Sequence, residues 1–243
     1  MFSVALIGPD GAGKTTLTAR LQRSSDIPLK CLYMGINIEA SDHALLTSRL
    51  VAYFKRGQNT ESGVYRCGDD SPPGGVNAKR GLGGWLWATC RLINRLLEEW
   101  YRQLLSWSYQ IRGYAVVYDR HFLYDFTLDG IDGEKQPADK RLHRRLLENF
   151  YPRPHLTIYL DAPAEVLFAR KGEKTLKELE RRRQAFLQLE HRAKNFFRID
   201  ATHPFDVVYA EVNSLIEQGY RNGQANAGCG LRFRLQRLGK LFD

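Results

Sequence analysis

An eight-residue run near the amino terminus constrains this chain more than anything else in it. Residues 8–15 read G-P-D-G-A-G-K-T, the pattern G-x-x-x-x-G-K-[ST], directly after the apolar run Phe2, Val4, Ala5, Leu6, Ile7. Helix-forming residues follow, from Thr16 through Leu21. A strand that turns through such a loop into a helix aims backbone N–H groups, backed by the positive end of the helix dipole, at one point in space. That geometry suits a polyphosphate. Gly8, Gly11 and Gly13, with the small Ala12, let the backbone approach it, Lys14 reaches the β and γ oxygens, and the Thr15 hydroxyl is placed for Mg2+. Gly8, Asp10, Gly11, Ala12, Gly13, Lys14, Thr15 and Thr16 are therefore the candidate residues for binding a nucleoside triphosphate. The alternative is a glycine-rich turn that binds nothing.

The rest of the chain fits an α/β domain. Five β-rich apolar runs, at residues 2–7, 29–34, 114–118, 156–160 and 196–199, lack alternation, as strands buried on both faces do. Helical patterns fall between and after them, at 14–22, 42–55, 85–112, 135–150, 163–170, 176–190 and 204–218. Pro163 and Pro204 stand where a first helical turn accepts proline. Alternating strands and helices predict a parallel, doubly wound sheet with its ligands at the carboxyl ends of the strands.

Two stretches break the pattern. Residues 57–84 are dense in Gly, Pro, Ser and Asn, and read as a flexible insertion, either disordered or a functional lid. Residues 221–230 read as a flexible linker, so that 1–220 forms the domain and 221–243 a linker with a basic tail. In that tail Leu231, Phe233, Leu235, Leu238, Leu241 and Phe242 interleave with Arg232, Arg234, Arg237 and Lys240, a pattern for an acidic membrane surface or a partner, or for a solvated helix.

Lys and Arg number 36 against 27 Asp and Glu, a formal charge of +9, which favours anionic partners. No module that reads nucleic acid is recognisable, so nucleic acid is not the expected partner. The four cysteines show no paired spacing and no signal segment stands out, so the chain reads as cytoplasmic.

Two further groups of residues carry chemistry. The third apolar run ends Tyr118-Asp119-Arg120-His121. Beside the first strand, Asp119 would hold Mg2+ directly or through water, and Arg120 would meet a phosphate; the plain alternative is a strand-end ion pair. The second group is Arg170, Lys171, Lys174, Arg181, Arg182 and Arg183, read as a lid over residues 170–185. Arg183 falls in the apolar row of its helix, between Leu179 and Phe186, where a guanidinium needs an anion. A transferring phosphate is the expected one, while Arg181 and Arg182 also fit a solvated face.

The order of these segments resembles the thymidylate kinases among the nucleoside-monophosphate kinases. The resemblance rests on a P-loop containing Asp10, then VVYDRH, YLDAPAEVLFAR, an Arg-rich lid and RIDATHP, and covers the loop and about residues 113–216. It implies a three-layer P-loop kinase fold of sheet order 2-3-1-4-5, ATP and Mg2+ as cofactors, and a nucleoside monophosphate as acceptor. It implies that Asp10 meets the acceptor sugar, Arg120 the acceptor phosphate and Asp119 the metal. With Gly11 and Ala12 in the loop, the chain is similar to members whose catalytic arginine lies in the lid, and Arg170 is the best-matched position. It also implies a tendency to dimerise.

Departures lie on the acceptor side. The Arg-Glu-Pro-Gly element expected after the second strand is absent, and Phe122, Leu123, Tyr124, Asp125 and Phe126 stand where small polar residues are usual. Three readings stay open. One is phosphoryl transfer from Mg·ATP to dTMP, with Lys14, Arg120, Arg170 and Arg183 as catalytic residues. Another is transfer to a sugar or glycan hydroxyl, with Asp125 as base and Asp129 a weaker candidate. The third is a nucleotide-binding scaffold without turnover. The long helix at 85–112 would line an acceptor pocket or a dimer seam, with Arg91 or Arg95 near the base.

Overall fold

The computed structural model describes residues 1–35, 82–124, 138–172, 174–190, 193 and 195–239. The elements run β1 (Ser3–Ile7), α1 (Lys14–Ser24), β2 (Leu29–Tyr33), α2 (Leu82–Ile111), β3 (Ala115–Asp119), α3 (Ala138–Phe150), β4 (Leu156–Asp161), α4 (Ala164–Lys171), α5 (Leu176–Gln188), β5 (Phe196–Asp200) and α6 (Phe205–Gly239). All five strands join one parallel sheet in the order β2-β3-β1-β4-β5, the expected 2-3-1-4-5. The helix expected at 42–55, the insertion up to residue 81, and Asp125 and Asp129 lie outside the described residues.

Every residue of β1, β3 and β4 is buried, which is why these runs are apolar on both faces. Strand alternation sorts them into two cores. Val4 and Leu6 pack with Leu17 and Leu21 of α1 and with Val208, Val212 and Ile216 of α6. Ala5 and Ile7 face the other way, toward Leu147 of α3, Tyr151 and Phe186 of α5, with Trp100 and Leu105 of α2 packed alongside. The result is three layers. Truncating a fully buried leucine such as Leu6 to Ala would cost about 2–5 kcal/mol.

Helix starts follow local chemistry. α5 opens on Thr175, whose hydroxyl accepts from the Glu178 N–H at 3.3 Å, and Glu178 completes the T-x-x-E capping pattern. α4 begins directly after Pro163.

One expectation is corrected. Residues 221–230, read as a flexible linker, belong to α6, which continues unbroken to Gly239. Glycine in a helix interior costs about 1 kcal/mol, but Arg221, Gln224, Ala225, Ala227 and Leu231 are good helix formers that offset it. The last three residues of the expected insertion likewise begin α2. Among the described residues no helix is long and apolar enough to cross a membrane.

Candidate active site at the carboxyl ends of the strands

β1 ends at Ile7, and the chain turns through residues 8–13 into α1. Gly11 (φ 90°) and Gly13 (φ 87°) both adopt left-handed backbone, where a side chain is strained. Gly11 is doubly constrained, because a Cβ there would sit 2.9 Å from the Leu167 carbonyl oxygen of α4. Gly13 caps α1, and its carbonyl accepts from the Leu17 N–H at 3.0 Å. Lys14 is 5% exposed, and its ammonium donates to the carbonyls of Gly8 and Pro9, both at 2.7 Å. The loop thus carries its own cation at the amino end of a helix.

Register places β3 beside β1, with Leu6 opposite Asp119. The Thr15 hydroxyl donates to Asp119 Oδ2 at 3.0 Å, so the hydroxyl and carboxylate expected to share a metal are in contact. The other oxygen, Asp119 Oδ1, is buried and has no hydrogen-bond partner among the described residues. A buried carboxylate oxygen rarely stays unsatisfied. A hard cation that keeps several of its waters fits this donor set of one carboxylate and one hydroxyl.

Arg120 follows with φ 68°, an uncommon value for a residue with a side chain, and its N–H donates to the Leu6 carbonyl at 3.2 Å. This backbone turns the guanidinium over the loop, where Nη2 donates to Asp10 Oδ1 at 2.6 Å. Asp10 also meets Lys174 at 3.1 Å and Arg182 of α5 at 4.0 Å. Burial alone would raise the Asp10 carboxyl, but Arg120, Lys14 and Lys174 outweigh it and hold it well below the ordinary range. Three lid and strand-end cations therefore converge on one loop carboxylate.

The lid arginines singled out from sequence take other positions. Arg183 does meet an anion, and that anion is Asp161 at the end of β4. Nε lies 2.7 Å from Oδ1 and Nη2 3.0 Å from Oδ2. Arg198 of β5 donates to the same Oδ2 from Nη2 at 2.6 Å, and the Tyr159 hydroxyl donates to Oδ1 at 3.0 Å. Burial pushes the Asp161 carboxyl up, and these donors reverse it to a net lowering. Arg170 donates to the Ala201 carbonyl, which follows β5, at 3.0 Å. Lys174 and Arg182 are lid cations that reach the loop. Sequence reasoning grouped them with the others but gave them no distinct role, and it passed over Asp161, although that residue ends an apolar strand just as Asp119 does.

Beside the end of β2 lies a buried polar layer. Arg102 of α2, 2% exposed, donates to Glu98 Oε1 from Nε and Nη2 at 3.0 and 2.8 Å, and to the Gly35 carbonyl from Nη1 at 3.0 Å. A buried pair of this kind needs such extra bonds to offset its desolvation. It ties α2 to the end of β2. His121 is fully enclosed by Tyr118, Tyr124 and Tyr151, with ring centroids 5.3, 5.6 and 5.8 Å away. Neither of its nitrogens has a partner among the described residues, and burial lowers its pKa to about 3. Arg95 lies on the same helix as Arg102, partly buried; the Arg91 side chain is outside the described residues.

No family model matches the chain. It is 32% identical over 112 residues to a probable thymidylate kinase of Archaeoglobus fulgidus, a match covering 43% of this chain and 54% of that protein. It is 34% identical over 79 residues to a thymidylate kinase of Thermosipho africanus, covering 29% and 38%. These matches span about half or less of the relatives' own lengths. An uncharacterised ATP-binding protein of Escherichia coli is 25% identical over 223 residues, covering 84% of this chain and 88% of that one. Among solved structures, deoxyadenosine kinase from M. mycoides with its products dCMP and dCDP bound superposes with a TM-score of 0.50 at 13% identity, over 89% of this chain and 100% of that one. That likeness shows the shared fold.

Proposed function

Taking the chain as a divergent member of the P-loop nucleotide kinases, related to the thymidylate kinases, we propose that it transfers the γ-phosphoryl group of Mg·ATP to a nucleoside monophosphate, with dTMP the first candidate. The observation that carries this reading is the contact between Thr15 and Asp119, with a buried carboxylate oxygen left over, beside Lys14 at the start of α1. The loop amides and Lys14 bind the triphosphate. Thr15 and Asp119 hold the cation. When bound there, Mg2+ would supply neutralisation of the polyphosphate charge. Arg120 binds the acceptor phosphate, and Asp10 orients it against the acceptor's sugar. Phosphoryl transfer asks mainly for positioning and for positive charge around the equatorial oxygens. Lys14, Lys174 and Arg182 supply that charge. Arg170 and Arg183, the catalytic candidates from sequence, instead fix the lid, on the Ala201 carbonyl and on Asp161. A phosphate acceptor is already anionic and needs no general base.

Purified protein with Mg·ATP and dTMP should release ADP, and a panel of nucleosides and sugars should not. Release with a hydroxyl compound and none with dTMP would move the assignment to a hydroxyl kinase, with Asp125 as the first base to test. ATP binding without turnover on any acceptor would leave a nucleotide-binding scaffold. A role for the tail at 231–243 on acidic membranes is tested by vesicle sedimentation with and without it, and a dimer by sedimentation equilibrium.

A further inference from the structure

Arg182 and Arg183 are consecutive on α5, so their side chains leave the helix about 100° apart. Arg182 reaches across to Asp10 in the phosphate loop, and Arg183 is held by both oxygens of Asp161. Fixing one of these directions fixes the other. The Asp161 carboxylate is only 5% exposed, and it also accepts from Tyr159 of its own strand and from Arg198 of the neighbouring strand. The Tyr159 ring also stacks on Phe186, one turn further along α5, at 5.4 Å. Residue 160, just before Asp161, abuts the loop so closely that a Cβ on Gly8 would lie 2.7 Å from the Leu160 carbonyl oxygen. One strand end thus touches the floor of the site and grips its lid.

We propose that Asp161 is a positioning residue for phosphoryl transfer, setting the rotation of α5 so that Arg182 faces the phosphate loop. It touches no reacting atom; it acts through Arg183. This inference rests on the kinase reading for its effect on rate, but the anchoring itself does not.

The test compares two arginines on one carboxylate. Arg183→Gln cuts the link to the lid, whereas Arg198→Gln cuts a link within the sheet and leaves α5 held. With Mg·ATP and dTMP, Arg183→Gln should lower kcat roughly ten- to hundredfold, the scale on which small misplacements act, with KM for ATP within about threefold. Arg198→Gln should leave kcat within about threefold, and Arg183→Lys should recover part of the loss. Asp161→Asn combined with Arg183→Gln should be no worse than Arg183→Gln alone, because both remove one link. Hydrogen exchange on the ligand-free protein gives a readout independent of turnover: amides of residues 176–188 should exchange faster in Arg183→Gln than in wild type, and not in Arg198→Gln. Equal losses in the two arginine variants, or unchanged exchange in Arg183→Gln, would overturn the inference. Absent ATP binding by the wild type would overturn the kinase reading and the rate effect, while the exchange comparison would still decide the anchor.

Discussion

The phosphate loop and the lid both present cations to the same place, yet they hold them differently. In the loop, Lys14 is fixed by carbonyls five and six residues back, and the backbone by glycines in left-handed conformation. In the lid, Lys174 and Arg182 are fixed through ion pairs with Asp10 across the fold, and the helix that carries Arg182 is held by Asp161 from another strand. Local geometry survives many changes elsewhere. Geometry set by distant side-chain pairs can be altered one residue at a time, and the lid is where a kinase on this scaffold is most open to change.

The strongest test of that contrast is Lys14→Ala. Loss of a fixed cation at the transferring group should cost ~3–4 kcal/mol, on the order of 100- to 1000-fold in kcat, read in steady-state ADP release. Retained turnover would break the assignment of the loop. Asp119→Asn should come next, raising the magnesium concentration needed for half-maximal rate about 10- to 100-fold, measured by metal titration. A smaller effect is expected in the lid: Arg182→Gln should lower kcat about tenfold while changing stability by less than ~1 kcal/mol, because the partly exposed pair is screened by water. Urea titration beside the kinetics separates the two. A greater loss from Arg182→Gln than from Lys14→Ala would reverse the ranking of loop over lid.

The smallest effect concerns His121. Its folded pKa of about 3 lies below the ordinary 6.5, so the unfolded chain binds a proton that the folded one refuses. Stability is therefore lost as pH falls below 6.5, by about 0.8 kcal/mol at pH 6 and with a slope approaching ~1.4 kcal/mol per unit down to about pH 3. His121→Phe should flatten that part of the profile in thermal melts. An unchanged profile would mean that the ring finds a partner in solution.

Much of this was legible in the sequence, for physical reasons. Strands buried on both faces must be apolar throughout, so β1, β3 and β4 announce themselves, and the loop's glycines follow from the close backbone approach it makes. The chemistry of Arg183 was legible too, since a guanidinium in a core-facing row requires an anion. Its partner was not, because nothing local in a sequence says that a helix will cross the end of a strand 22 residues earlier. The helical state of residues 221–230 was hidden by glycines whose cost is spread over a long run of good helix formers. Arg102 gave no local signal, because ionic residues at 98, 99 and 102 on one helix do not tell from sequence that all three are buried.

Arg120 sits in a left-handed backbone where glycine would rest without strain. Replacing it by glycine would recover about 1 kcal/mol of backbone strain and would give up its ion pair with Asp10. A glycine at position 120 should therefore leave a well-folded protein that, on the proposed reading, lacks the guanidinium that meets the acceptor phosphate.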